Sequence, residues 1–137
     1  MGQPFAIPYR TFVDGDLPRP YLVMEVTGLN GTSMRIYGIV DSGADQTSLP
    51  FEYASIFGYD ETTLSQRQFR QVEGTGTSYV ATTPCTAVVM EIPGTTVSLS
   101  PQFIKGSQIV LWGRLDFMRS FHVTVRESEQ IFVIEPA

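Results

Sequence analysis

The stretch "RPYLVMEVTGLNGTSMRIYGIVD", residues 19–41, narrows the fold more than any other part of the chain. Two runs of apolar and β-branched residues, about 21 to 28 and 32 to 40, flank Asn30-Gly31, a dipeptide that accepts the positive φ of a tight hairpin turn. The turn also explains Asn30-Gly31-Thr32, which would otherwise read as a glycosylation sequon. The second arm runs without interruption into Asp41.

The remaining chain repeats this grammar of short arms and turns. "FEYASIFGY" fits a short helix through Phe51, Ala54, Ile56 and Phe57 that stops at Gly58, with Pro50 tolerated at its start. "RQFRQVEGTGTSYVATT" reads as a hairpin with a mobile, glycine-bearing tip, and "TAVVMEIPGTTVSLSPQFI" as two strands about Pro93-Gly94. "SQIVLWG" reads as a buried strand and "RLDFMRSF" as a short helix. "HVTVRESEQIFVIEP" closes the chain as a hairpin turning near residues 127–129. Many short strands and two helical turns predict an all-β domain, a small closed or partly closed barrel.

With 137 residues there is room for one ordinary domain, and 42% hydrophobic against 17% charged residues suits a folded chain. The formal charge of −5 lacks the Lys/Arg surplus that phosphate-backbone binding needs, so nucleic acid is not an expected partner. A lone Cys85 forms no internal disulfide and reads as a small apolar strand residue. "MGQPFAIPYR" has no secretion signal, no apolar run approaches the ~20 residues of a membrane span, and Ala6 breaks the myristoylation pattern. The expectation is a cytoplasmic protein with no membrane partner.

Asp41 follows Ile39 and Val40 at the end of an apolar strand, where burial would raise its pKa unless a neighbour compensates. Ser42 supplies a hydroxyl, Gly43 permits close backbone approach, and Ala44 adds no bulk. Asp-Ser-Gly is also a common turn tripeptide, and alone it is consistent with nothing more. Some seventy residues later "IVLWGRLDF" sets an apolar strand against Gly113-Arg114.

Together, "IVDSGADQTSLP" and "IVLWGRLDFM" resemble the retropepsin-like aspartic proteases. In that family an apolar-apolar-Asp-Ser/Thr-Gly-Ala turn is followed by apolar-apolar-Gly-Arg at the start of the only substantial helix. "VEGTGTSYV", roughly thirty residues past Asp41, falls where the family carries its flap. The matched elements span about 19–134, leaving 1–18 as an N-terminal arm of a single domain, 1–137. The final hairpin is similar to the ending of cellular or bacterial-type members. Trp112, where Leu or Ile is usual, and the polar flap depart from the pattern; alternation with Leu111 predicts that Trp112 packs inward.

The resemblance implies a homodimer, because the chain holds one such motif; Asp14, Asp16, Asp60 and Asp116 supply no second copy. It implies that Asp41 from each subunit forms a catalytic dyad sharing one proton, that Ser42 hydrogen-bonds across the axis, and that Gly43 keeps the backbone open to a polypeptide substrate. Asp45 would receive substrate N–H groups and pair with Arg114, so that losing Arg114 strips a partly buried carboxylate of its partner. Ala44, Gly113 and Arg114 support the turn. Ile39, Ile109 and Leu111 share the parity that faces substrate pockets, and Gly74, Thr75 and Gly76 would close over an extended peptide. No cofactor or metal is implied.

Other chemistries fare worse on the residues. His122 alternates away from Phe121, Val123 and Val125 and points to solvent, which spoils a serine triad. One His and one Cys do not make a zinc cluster, and no phosphate loop is present. The competing reading is a non-catalytic module of the same fold that dimerises or binds peptides.

Overall fold

The computed structural model describes residues 3–71 and 74–137, with no side-chain description for residues 69–75. The N-terminal residues Phe5–Pro8 form β1. The opening hairpin comes next as β2 (Tyr21–Thr27) and β3 (Ser33–Val40), paired antiparallel from Tyr21↔Ile39 to Thr27↔Ser33. Its turn is wider than the two-residue form, spanning residues 28–32, with Gly31 at φ +84° and the Thr32 N–H donating to Asn30 Oδ1 at 3.1 Å. Asn30 does more than turn the chain. Its amide donates to the Ile56 carbonyl at 3.0 Å and so ties the hairpin to the helix that comes after it.

That connection runs through β4 (Ser48–Pro50) into α1 (Glu52–Ile56), a helix of little more than one turn that ends at Gly58 with φ +79°. The chain then forms β5 (Leu64–Gln71) and β6 (Gly74–Ala81), the expected long hairpin. Its connection, residues 72 and 73, lies outside the described residues. Gly74, Thr75 and Gly76, expected at the tip, begin the second arm, where they pair with Gln71, Arg70 and Phe69. The strands β7 (Cys85–Val89) and β8 (Thr96–Leu99) flank the Pro93-Gly94 turn, with Gly94 at φ +96°.

After β9 (Gln102–Ile104), the strand expected over "SQIVLWG" narrows to the two residues of β10, Leu111–Trp112. The helix expected over "RLDFMRSF" contracts to a 3-10 turn at Met118–Ser120. Residues 114–117 run as turns in which the Met118 N–H donates to the Gly113 carbonyl at 3.0 Å, a wider spacing than an α-helix uses, and β11 (Phe121–Arg126) begins at Phe121. β12 (Ile131–Pro136) completes the terminal hairpin, whose turn passes through residues 127–129 and Gln130 at φ 54°.

Nine strands form one sheet in the order β5-β6-β9-β4-β10-β3-β2-β7-β8, which curls into a half barrel rather than closing. A second sheet, β1-β12-β11, draws part of the N-terminal arm onto the C-terminal hairpin through Phe5↔Ile134 to Pro8↔Ile131. Ile7, Phe132 and Ile134 bury there and join the main core of Leu22, Phe103 and Trp112. The fold is nearly all β, as the strand grammar predicts. Trp112 is fully buried, and its Nε1 donates to the Leu22 carbonyl at 2.9 Å. A Cβ at Gly38 would stand 2.6 Å from the indole, so this glycine makes the space the indole fills.

Candidate active site

The site begins with a gap. β3 and β4 are consecutive along the chain but not adjacent in the sheet, and β10 fills the slot between them, parallel to β3 and antiparallel to β4. The end of β3 is therefore held from both sides: the Val40 N–H donates to the Pro20 carbonyl at 3.0 Å, and the Ile39 and Asp41 N–H groups donate to Val110 and Trp112 carbonyls at 3.0 and 3.1 Å. Asp41 sits at the end of this clamp. Its backbone has little freedom to wander.

Beyond Asp41 the chain turns tightly. The Gly43 N–H donates to Asp41 Oδ1 at 2.8 Å, and the Ala44 N–H to the Asp41 carbonyl at 3.2 Å. A Cβ at Gly43 would lie 3.1 Å from the same carboxylate oxygen, a contact that the Asp41 side chain would have to shift to relieve. Asp41 is half-buried, Ala44 likewise, while Ser42 and Gly43 are exposed. The tripeptide thus offers its carboxylate and hydroxyl outward.

What locks the turn is a crossing of backbones. Arg114 and Leu115 N–H groups donate to the Ala44 and Asp45 carbonyls, both at 2.8 Å. A Cβ at Gly113 would fall 2.2 Å from the Gln46 carbonyl carbon, so only glycine fits. Thr47, fully buried, accepts from the Gly113 N–H at 3.1 Å and donates through its hydroxyl to Asp116 Oδ1 at 3.0 Å. Asp116 also accepts from the N–H groups of Thr47 (3.1 Å), Ser100 (3.2 Å) and Phe117 (2.9 Å). This hub is not recognisable from the sequence, where Asp116 stands only as an acid lacking the Ser-Gly that would make a second motif.

The Asp45–Arg114 pair is looser. Its N···O distance is 3.7 Å and the side chains are 78% and 57% exposed in the single chain, a geometry that contributes little on its own. Arg114 holds the turn through its backbone N–H instead.

Beside Asp41 lies a cleft of about 660 Å³ lined by Ile39, Ile109 and Leu111 among others. The alternation of β3 explains this: Ile36, Gly38 and Val40 face the core, and Tyr37 and Ile39 face the cleft. Tyr37 was legible by that parity. Tyr21, opposite Ile39 on β2, follows the same parity, whereas Asp16 and Arg19, which line the same cleft, were not legible, since they lie outside the strands and carry no period. Arg19 forks onto Asp16 at 3.0 and 3.3 Å, and the guanidinium holds the Asp16 carboxyl below the ordinary carboxylate range. Phe12 packs at 4.6 and 4.5 Å on the rings of Tyr21 and Tyr37, bracing that wall. Gly76 is not among the described residues that line the cleft, the side-chain surroundings of Gly74 and Thr75 lie outside the described residues, and His122 is exposed on β11 in the other sheet.

Compared with protein-family models and with curated proteins, the sequence matches none. Among solved structures, the crystal structure of a retropepsin-like aspartic protease from Rickettsia conorii is similar to 99% of this chain and 94% of its own, at a TM-score of 0.61 and 18% sequence identity. At that identity the likeness speaks to architecture. The chain has the retropepsin-like fold.

Proposed function

We propose that the chain is an aspartic endopeptidase that works as a homodimer, with Asp41 of each subunit facing the other across a two-fold axis. The observation that carries this reading is the clamped Asp41 turn: a half-buried aspartate whose backbone is fixed between Pro20 and β10, beside a cleft of mixed apolar and polar lining and next to exposed Ser42 and Gly43. One such turn is half of a site that needs two carboxylates.

In the dimer one carboxylate of the dyad is protonated and the other ionised, because like charges this close resist double ionisation. The ionised member takes a proton from a water molecule, whose oxygen attacks the scissile carbonyl carbon. The protonated member donates to the carbonyl oxygen, and collapse of the tetrahedral intermediate passes a proton to the leaving amide nitrogen. Ser42 hydrogen-bonds across the axis, and Asp45, paired with Arg114, receives substrate N–H groups. The polypeptide lies extended with alternate side chains against Ile39, Ile109 and Leu111, while the β5–β6 hairpin, with Gly74, Thr75 and Gly76 near its end, serves as the flap. A reducing, cytoplasmic setting suits the single Cys85, and no helix among the described residues is long and apolar enough to cross a membrane.

The test pairs cleavage of a diverse peptide library at several acidic to neutral pH values with sedimentation of the same sample, for the wild type and Asp41→Asn. Cleavage should track the dimer, vanish in the variant while dimerisation persists, and fall on the alkaline side as both carboxylates ionise. A stable dimer that cleaves nothing would leave a peptide-binding or dimerising module of the same fold.

A further inference from the structure

A second cavity, about 640 Å³, shares no lining residue with the cleft at Asp41 among the described residues. It opens between α1, residues 59–61 and the base of the β5–β6 hairpin. Phe51, Ala54, Leu64 and Tyr79 give it an apolar surface, and the exposed carboxylates of Glu52, Asp60 and Glu61 give it an acidic rim. Asp60 accepts from the Thr62 N–H at 2.8 Å and hydroxyl at 2.6 Å, bonds that favour its ionised form.

Two further observations say what would enter. The rings of Phe51 and Tyr79, 5.0 Å apart, already have the Lys105 ammonium 4.9 and 5.4 Å from their centroids, so an incoming cation is selected by the Glu52, Asp60 and Glu61 carboxylates and not by these rings. And β5, whose Leu64 and Gln66 line the cavity, is the end strand of the nine-stranded sheet, with one side unpaired among the described residues. An unpaired edge accepts an extended chain as an added strand, and alternate side chains of that chain then drop into whatever lies beside it.

We propose that the β5 edge and this cavity form a docking site for an extended segment of a polypeptide partner that places an arginine in the cavity beside an aliphatic residue. A guanidinium forks onto carboxylates while its aliphatic stem lies along apolar surface, matching both components of the lining. The volume exceeds one side chain and leaves room for the aliphatic neighbour against Leu64 and Ala54. Among the described residues the cavity shares no lining with the cleft at Asp41, although Leu64, Gln66 and Tyr79 belong to the base of the hairpin assigned as the flap.

The experiment uses the full-length Asp41→Asn protein, labelled for amide chemical-shift mapping and titrated with a blocked hexapeptide of apolar residues around one arginine. Peptides carrying citrulline or glutamate in its place are compared, and the titration is repeated on Glu52→Gln/Glu61→Gln. The arginine peptide should shift the amides of Ser55, Glu61, Leu64 and Gln66. Citrulline and the double variant should each weaken binding about fivefold, the size expected of exposed charge contacts. Shifts confined to Ile39, Ile109 and Leu111, equal binding of the glutamate peptide, or no shift at millimolar peptide would each overturn the proposal. If the double variant does not fold, the citrulline comparison decides alone.

Discussion

Removing the Asp116 carboxylate tests whether the hub beneath the Asp41 turn holds the site together. In Asp116→Ala the fully buried Thr47 loses the acceptor of both its N–H and its hydroxyl, while the Ser100 and Phe117 N–H groups lose theirs as well. Counting only the two Thr47 donors, at ~1–3 kcal/mol for each buried group left unsatisfied, the loss is about 2–6 kcal/mol. That is a large share of the ~5–15 kcal/mol that stabilises a domain. Arg114→Ala removes an exposed 3.7 Å pair and should cost the single chain about 0–1 kcal/mol. Urea unfolding, followed by the fluorescence of the lone Trp112 on protein dilute enough to sediment as monomer, separates the two. With a slope of ~1–3 kcal/mol per molar, the midpoint should drop by roughly 2 M for Asp116→Ala and by no more than about 0.5 M for Arg114→Ala. Equal losses, or a greater loss at Arg114, would refute the assignment of the hub. Asp116→Asn should fall between, since its amide keeps one acceptor but turns a donor toward one of the N–H groups now facing a carboxylate oxygen.

Gly38→Ala would push a methyl into the Trp112 indole at 2.6 Å and should destabilise by about 1–3 kcal/mol, read as a lower melting temperature with altered tryptophan emission. Acid should loosen the fold through Asp16 and Asp60, whose carboxyls are held below the ordinary range by the Arg19 hydrogen bond and by the Thr62 hydroxyl respectively. A carboxyl with a depressed folded pKa contributes stability above its unfolded pKa, and that contribution disappears as pH falls through the folded value. Urea midpoints measured downward from pH 5 should therefore decline more steeply for the wild type than for Asp16→Asn/Asp60→Asn; parallel declines would show that neither carboxyl is linked to folding.

Local turn chemistry makes much of the fold readable from the sequence. Asn30-Gly31, Pro93-Gly94 and the 127–129 turn each separate strands that pair as their alternation requires, because a hairpin is decided by residues next to one another. Ile39 and Leu111 could be placed with Asp41 for the same reason, strand parity being local. Long-range partners leave weaker traces. Gly113 must be glycine because Gln46, far away in sequence, crosses it, and Thr47 meets Asp116 only once that crossing exists. The pairing of β1 with β12 and the contribution of Asp16 and Arg19 to the cleft wall likewise depend on where distant segments come to rest. The helix expected over "RLDFMRSF" gives way to turns around Asp116, whose carboxylate is committed to Thr47 and Ser100, a tertiary demand that propensity does not record.

The insertion of β10 between β3 and β4 also imposes an order of events on the growing chain. While residues beyond Pro50 are being synthesised, two strands that will end as near neighbours must wait with a vacant lane between them. That lane closes only when Leu111–Trp112 has left the ribosome. Pairings of such long sequence separation carry a high loop-closure cost and form slowly. A nascent or truncated chain ending before Leu111 would leave two unpaired strand edges around an empty indole socket, a template for association with other unfinished chains. The short strand that completes the site is thus also the segment whose late arrival sets when the protein becomes safe to release.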